Sequence, residues 1–136
     1  MSEVAYRFKI KEIAESEVYS VLGVNKPLIK TKTGFKALKI RIMGFLTRKR
    51  HSEGKVYLQV EDGSGALITI ETSVENQEYK EGDLLDIIGY IKSSGQIKMV
   101  EPELVIKVQD PNWLITRKLE ILKRIQEILK SRKVSK

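Results

Sequence analysis

The chain has 136 residues, of which 41 % are hydrophobic and 32 % are charged, as expected for one ordinary domain with one core. It contains no cysteine and one histidine, His51, which excludes disulfides, thiolate nucleophiles and metal sites built from cysteines or several histidines. No apolar run approaches the roughly 18 residues of a membrane span, and the N-terminus lacks the apolar region of a signal peptide. We therefore expect a soluble cytoplasmic protein with no membrane partner.

The net charge of +7 is unevenly distributed along the chain. Residues 26–60 contain ten basic residues and one acidic residue, whereas residues 61–116 contain four basic and eleven acidic residues. Residues 117–136 are basic again, with eight basic and two acidic residues. Such segregation predicts a positive surface for polyanions on one side of the molecule; the alternative is a solvated surface of mixed charge.

The first 35 residues give the weakest structural signals. Two short segments, 6–10 and 18–22, could form extra strands, and turn signals follow at 25–27 and 32–34. We expect residues 1–35 to form an N-terminal extension that packs on the domain that follows.

The central residues 36–109 predict a β domain, because apolar and polar side chains alternate with period two. The five predicted strands are 38–47, 56–60, 66–72, 84–92 and 96–108.

The sequence also predicts the connections between these strands. Gly44 interrupts the first strand, where the absence of a Cβ would allow a sharp bend and pairing with both sheets of a barrel. A polar loop is predicted at 48–55 and a hairpin turn at Asp62–Gly65. Pro102 should bend or interrupt the last strand, because proline cannot donate a ladder hydrogen bond.

Residues 110–136 predict a helix with a basic tail. Asp110 and Pro111 form a helix-start signal, and the helix can run to about Arg132. Its apolar side chains cover about half of the circumference, more than one barrel can bury. The predicted partner-binding residues are Leu114, Ile115, Lys118, Ile121, Leu122, Ile125, Ile128 and Leu129.

Within this helix, Lys118 could set the register of a helical bundle. Trp113, in the first turn, is expected to plug the barrel end or the joint between helix and barrel.

Together these elements predict an all-β fold with a terminal helix: a five-stranded OB-fold Greek-key barrel followed by a C-terminal α-helix. The usual ligands of this layout are oligonucleotides and oligosaccharides.

Three segments resemble the middle subunit of replication protein A. Ile40–Leu46 is similar to its first barrel strand, and Val56–Gly65 to its hairpin with a tyrosine and an acidic, glycine-rich turn. Leu85–Ser93 is similar to its fourth strand, which ends in a basic residue and serine. Telomere-capping homologues of that subunit share these signatures.

The N-terminal residues 6–20 and 30–44 are similar to archaeal replication-protein-A-associated OB proteins. The resemblance implies a single-stranded-DNA-binding subunit that acts in replication, recombination and repair, and that joins other subunits through its C-terminal helix. One departure is that the family's two stacking aromatics correspond to positions near Ser73 and Ser94.

Basic and aromatic side chains on the barrel are the candidate nucleic-acid-binding residues. Arg48–His51 are placed in the loop next to the expected ligand face, and Lys39 and Arg41 project outward from the first strand. Tyr57 and Tyr90 are candidate stacking rings, with packing as the alternative. The complete set is Lys39, Arg41, Arg48, Lys49, Arg50, His51, Lys55, Tyr57, Tyr90 and Lys92.

The sequence predicts no enzyme activity, no cofactor and no metal site. No phosphate-binding glycine loop or nucleophile elbow is present. Asp62 is explained by its hairpin and Asp83 by its turn, although either could belong to an acidic pair.

Two alternatives remain open. One is an OB-fold scaffolding subunit that binds only proteins, and the other is a telomere-end or RNA-binding protein; a homo-oligomer through the helix is also compatible with the pattern.

Overall fold

The computed structural model of the protein describes residues 4–73, 78–94 and 97–134. In these residues the chain forms nine strands and two helices. Their order is β1 (Ala5–Arg7), α1 (Ile10–Ala14), β2 (Glu17–Tyr19), β3 (Leu28–Lys30), β4 (Lys36–Ala37), β5 (Lys39–Ser52), β6 (Lys55–Glu61), β7 (Leu67–Ser73), β8 (Leu84–Ser94), β9 (Ile97–Val108) and α2 (Asn112–Val134).

Strands β5 to β9 form a closed barrel. They are hydrogen-bonded in the order β5–β6–β7–β9–β8, and pairing of β8 with β5 closes the ring. The β7–β9 pair is parallel and the other barrel pairs are antiparallel. This is the OB-fold Greek-key barrel with a C-terminal helix, so the predicted fold is confirmed. Strand β1 adds to β5 in parallel, and β2, β3 and β4 form a separate small sheet.

The long strand β5 belongs to both halves of the barrel. It pairs with β8 from Lys39 to Phe45 and with β6 from Phe45 to Ser52. At the change of partner, a Cβ on Gly44 would lie 2.8 Å from the carbonyl oxygen of Glu61. The predicted role of Gly44 is confirmed, because only glycine allows the two backbones to approach so closely.

The core is filled from the inner faces of the strands and from the N-terminal segment. The fully buried side chains include Ile40, Ile42, Leu46, Leu58, Ile70, Leu85, Ile87 and Ile91 from the strands. Phe8, Ile10, Ile13 and Ile29 join the same cluster, each at most 1 % exposed. Burial of such side chains contributes about 1.5–3 kcal/mol each, so the N-terminal residues are part of the barrel's stability.

Helix α1 was not predicted from the sequence. Segment 6–10 was expected to be one strand, but β1 ends at Arg7 and Ile10 begins the helix. The carboxylate of Asp62 accepts the backbone N–H of Ile10 at 2.9 Å and that of Ser64 at 3.0 Å. The β6–β7 turn therefore provides the acceptor for the first N–H of a five-residue helix, a long-range contact that joins the local one in which Glu12 accepts the N–H of Lys9 at 2.9 Å.

The predicted loop at 48–55 is wrong. Strand β5 continues to Ser52 and β6 begins at Lys55, so only Glu53 and Gly54 form the turn. Their φ angles are 49° and 78°, the left-handed conformation that two-residue hairpin turns require. The polar residues form a strand because they pair with β6, whose Val56 and Leu58 supply the core-facing apolar side chains of this hairpin.

Strand β9 bends at its proline, as predicted, but its pairing continues. Gly89 is opposite Pro102 and Ile88 is opposite Leu104, so Glu103 is an extra residue on β9. Such a bulge bends the strand locally.

Helix α2 is anchored on the barrel by apolar packing and by a buried ionic cluster. Leu114, 9 % exposed, packs with Met43 and Leu84. Asp86 accepts hydrogen bonds from Arg41 at 2.5 Å and from Arg117 at 3.0 Å, and Asp86 and Arg117 are each 5 % exposed. Trp113 does not plug the joint as expected. It is 58 % exposed, because Leu114 occupies that position.

The same helix is also tied to the N-terminal segment. The Arg124 guanidinium lies 4.7 Å from the ring centre of Phe8 and 5.0 Å from that of Phe35. It also pairs with Glu12 at 2.6 Å.

In the part of the chain described, no helix has the length and apolar character needed to cross a membrane.

The ionic cluster predicts a specific acid sensitivity. Burial opposes ionisation of Asp86, but the hydrogen bonds and charges of Arg41 and Arg117 outweigh it and hold the pKa of the carboxyl below its usual value. This stabilisation is therefore complete above the usual pKa and is lost as the pH falls through the lowered pKa. Asp86→Asn should cost about 3–5 kcal/mol near pH 7, because Arg117 then lacks its counter-ion.

Urea unfolding between pH 3 and pH 7 measures this effect. The unfolding free energy of Asp86→Asn should fall less between pH 7 and pH 3 than that of wild type. Glu103→Gln, which removes an exposed carboxyl, is the control. Equal unfolding free energies for Asp86→Asn and wild type at pH 7 would contradict the role assigned to the cluster.

Candidate nucleic-acid interface

The outer face of strands β5, β6 and β7 carries a shallow concave surface. The strand register places Arg50 opposite Tyr57, Arg48 opposite Gln59, and Gln59 opposite Thr69. These five side chains line an open cavity of about 150 Å³. Their neighbours Val56, Leu58 and Val60 point into the core, and alternation therefore directs the polar set outward. We call these five residues the hairpin face.

Two guanidinium groups of the hairpin face are available for a ligand. Arg50 lies over the ring of Tyr57, 4.9 Å from its centre, a favourable cation–π distance. Arg48 and Arg50 are both exposed, and neither forms an ion pair with a carboxylate among residues 4–73, 78–94 and 97–134. A guanidinium without a protein counter-ion can bind phosphate with two parallel hydrogen bonds.

Glu71 adjoins the hairpin face and pairs with two of the predicted lysines. It is opposite Tyr57 in the β6–β7 register. Its Oε1 atom accepts hydrogen bonds from Lys55 at 2.6 Å and from Lys92 at 3.1 Å. The hydrogen bond from Lys55, with the charge and hydrogen bond of Lys92, outweighs burial and lowers the pKa of the Glu71 carboxyl. The same bond raises the pKa of Lys55.

Lys39 and Tyr90 lie on a different part of the barrel, where the first half of β5 pairs with β8. The Lys39 ammonium pairs with Glu103 at 3.0 Å, and this hydrogen bond raises the pKa of Lys39. Tyr90 projects outward, as its strand alternation predicted, and its ring centre is 5.6 Å from Lys39 Nζ and 5.4 Å from Lys26 Nζ.

Arg41 also projects outward, but helix α2 approaches that side of β5. Its guanidinium donates three hydrogen bonds to the Asp86 carboxylate. This hydrogen bonding is the main cause of the raised pKa of Arg41. Arg41 is thus part of the joint between helix and barrel and is separated from the hairpin face.

Lys49 and His51 point to the other side of the hairpin. They are opposite Leu58 and Val56, whose side chains face the core. Lys49 Nζ donates to the carbonyl oxygen of Tyr79 at 3.1 Å, and His51 is exposed. The four consecutive residues that sequence reasoning grouped therefore divide between two faces.

Three relevant residues were missed in the sequence: Gln59, Thr69 and Glu71. The alternation along β6 and β7 was recognised, and extending it to polar outward positions would have found them. Ser73 is exposed at the end of β7, whereas the side chain of Ser94 lies outside the described residues.

Helix α2 divides its apolar residues between two sides. Leu114 and Ile121 face the barrel, at 9 % and 2 % exposed, and Ile125 and Ile128 are half-buried. Lys118 lies close to the β6–β7 turn, with Nζ 3.2 Å from where a Cβ of Gly63 would be. Leu114 and Ile121, two of the predicted partner-binding residues, are therefore buried against the barrel in place of a partner.

A second apolar stripe on α2 is exposed. Its members fall within roughly 80° of the circumference at 100° per residue and are between 43 % and 62 % exposed. They are Ile115, Leu119, Leu122 and Leu129, which we call the helix stripe.

A closed five-stranded barrel with a basic hairpin face and a C-terminal helix defines this chain as an OB-fold protein. A chain in the S. pombe Stn1–Ten1 complex has a TM-score of 0.77 at 17 % identity, over 94 % of this chain and 96 % of that one. A chain in a replication protein A heterotrimer bound to single-stranded DNA has a TM-score of 0.74 at 17 % identity, over 92 % and 98 %. A chain of yeast replication protein A bound to single-stranded DNA has a TM-score of 0.70 at 20 % identity, over 89 % of both.

The resemblance seen in the sequence is thus confirmed as a likeness in fold that spans nearly the whole chain. No protein-family model matches the sequence, and no curated protein matches it.

Proposed function

We propose that this protein is a non-enzymatic single-stranded-DNA-binding subunit of a replication protein A-like complex. The observation that carries the proposal is the hairpin face, where Arg48 and Arg50 have no acidic partner among the described residues and lie beside an aromatic ring. The similar chains in replication protein A structures come from complexes bound to single-stranded DNA, which supports the same ligand class here.

The chemistry of the hairpin face suits a single strand better than a duplex. The two guanidinium groups can bind successive phosphates, and the Arg50–Tyr57 pair offers a flat surface on which an unpaired base can stack. Gln59 and Thr69 supply hydrogen-bonding groups beside it. Binding of this kind depends on salt and tolerates many sequences.

Helix α2 is the proposed assembly element. The helix stripe exposes four large aliphatic side chains, and Ile115, Leu122 and Leu129 recur at seven-residue intervals, the spacing that packs helices side by side. The likeness to chains from the Stn1–Ten1 and heterotrimeric assemblies supports other subunits of a replication protein A-like complex as its partners.

Removing both guanidinium groups of the hairpin face should weaken binding of oligo-dT. Arg48→Ala with Arg50→Ala should reduce the slope of log affinity against log salt concentration by about 1.4, because each phosphate contact to a single strand contributes about 0.7. Fluorescence anisotropy with labelled oligo-dT at several salt concentrations gives this slope. The control, Lys123→Ala with Lys130→Ala, removes the same charge from exposed positions of α2. Equal slopes for wild type and the arginine variant would contradict this site.

Tyr57→Leu should reduce oligo-dT affinity by about 1–3 kcal/mol, because a stacked base loses its aromatic partner. The comparison is Tyr90→Leu, which removes an outward tyrosine whose ring is flanked by Lys26 and Lys39; we expect a smaller loss. Titrations should accompany thermal melting, so that lost folding is not read as lost binding. Unchanged affinity for a folded Tyr57→Leu protein would show that its ring is not a base platform.

Leu119→Glu with Leu122→Glu should abolish association while the barrel stays folded, because both side chains are exposed in the isolated chain. Light scattering over a concentration series tests self-association, and retrieval of replication protein A-like subunits from native extract tests mixed assembly. Thr116→Glu with Lys123→Gln makes the same change in net charge away from the stripe and serves as control. A wild type that stays monomeric and retrieves no such subunit would refute the assembly role.

A further inference from the structure

Glu71 has an unusual position for an acidic residue on a surface that attracts polyanions. It lies on β7 directly opposite Tyr57 and lines an open cleft of about 460 Å³ that includes Lys55, Gly54 of the hairpin turn and Pro102 of β9. Its side chain is only 11 % exposed. The carboxylate is therefore fixed in the surface that a strand of DNA would cross.

The partners of Glu71 come from two different strands. Lys55 belongs to β6 and Lys92 to β8, and both ammonium groups contact the same oxygen atom, Oε1, at 2.6 and 3.1 Å. The lysine side chains are 49 % and 42 % exposed. A single anionic oxygen between two ammonium groups is the arrangement that a backbone phosphate would produce.

We propose that Glu71 is an internal counter-ion that limits the affinity of this face for a nucleic-acid backbone, because it occupies the place between Lys55 and Lys92 that a phosphate would otherwise take. The inference rests on the proposed function and names a residue that sets the affinity of this face for nucleic acid.

The argument depends on the difference in burial between the partners. Exposed ion pairs contribute little to stability, so the lysines can turn toward another anion. Glu71 is nearly buried and stays in place, so a phosphate drawn to either lysine meets a like charge. Its lowered pKa keeps it ionised at neutral pH. A lysine that is already neutralised also releases few counter-ions on binding, and such release is the source of the salt dependence of affinity.

The test replaces Glu71 by its neutral isostere. Glu71→Gln should bind oligo-dT more tightly than wild type, with a salt slope steeper by up to about 1.4, which is two single-strand phosphate contacts. A fourfold dilution of salt would then strengthen the variant about sevenfold more than wild type. The matched control is Glu103→Gln, which frees Lys39 on another part of the barrel. Glu71→Met, which keeps the aliphatic stem, is the second variant if the glutamine protein does not melt cooperatively.

Each result decides the matter. Tighter binding and a steeper slope for Glu71→Gln alone support the proposal. An equal gain for Glu103→Gln would indicate an effect of net charge and overturn it. If wild type binds oligo-dT and Glu71→Gln binds it no more tightly, the role of Glu71 is overturned and the proposed function is left intact. Absence of oligo-dT binding by wild type and all variants at low salt overturns the proposed function along with it.

Discussion

The whole arrangement depends on one strand pairing with two different neighbours. At Phe45, β5 leaves β8 and joins β6, and the close approach of the Glu61 carbonyl oxygen admits only hydrogen at Gly44. The barrel closes because of this change of partner. The two halves of the strand also differ in role, since Arg41, before the change, attaches the helix, whereas Arg48 and Arg50, after it, belong to the hairpin face.

Asp86 gives helix α2 a defined orientation on the barrel. Apolar packing by Leu114 is non-directional, but a carboxylate shared between Arg41 and Arg117 fixes both the position of the helix and its rotation. Arg124 repeats this restraint further along, between Phe8 and Phe35. The helix stripe is consequently turned away from the barrel, and any partner would meet a preset surface.

The barrel strands could be predicted because their period-two patterns and turn residues are local signals. Helix α1 could not, since it has only five residues and the acceptor for the N–H of Ile10 is Asp62, distant in sequence. The strand at 48–52 was missed because polar residues are typical of loops, and the core-facing apolar residues of that hairpin, Val56 and Leu58, belong to its partner strand β6. Likewise, period-two alternation correctly predicted that Arg41 projects outward, but only the folded chain reveals that Asp86 and helix α2 lie on that side. Charge alone grouped Arg48 with Lys49, whereas the hairpin separates them.

The tight turn at Glu53 and Gly54 has a kinetic consequence. Because β5 and β6 remain paired up to Ser52 and Lys55, the hairpin that carries Arg48, Arg50 and Tyr57 has no long loop to immobilise when a ligand arrives. The backbone entropy that a flexible loop would lose, about 1–2 kcal/mol per residue, has already been lost during folding. For the proposed single-stranded ligand, the association rate would then be limited by diffusion and orientation, and the lifetime of the complex by the contacts made afterwards.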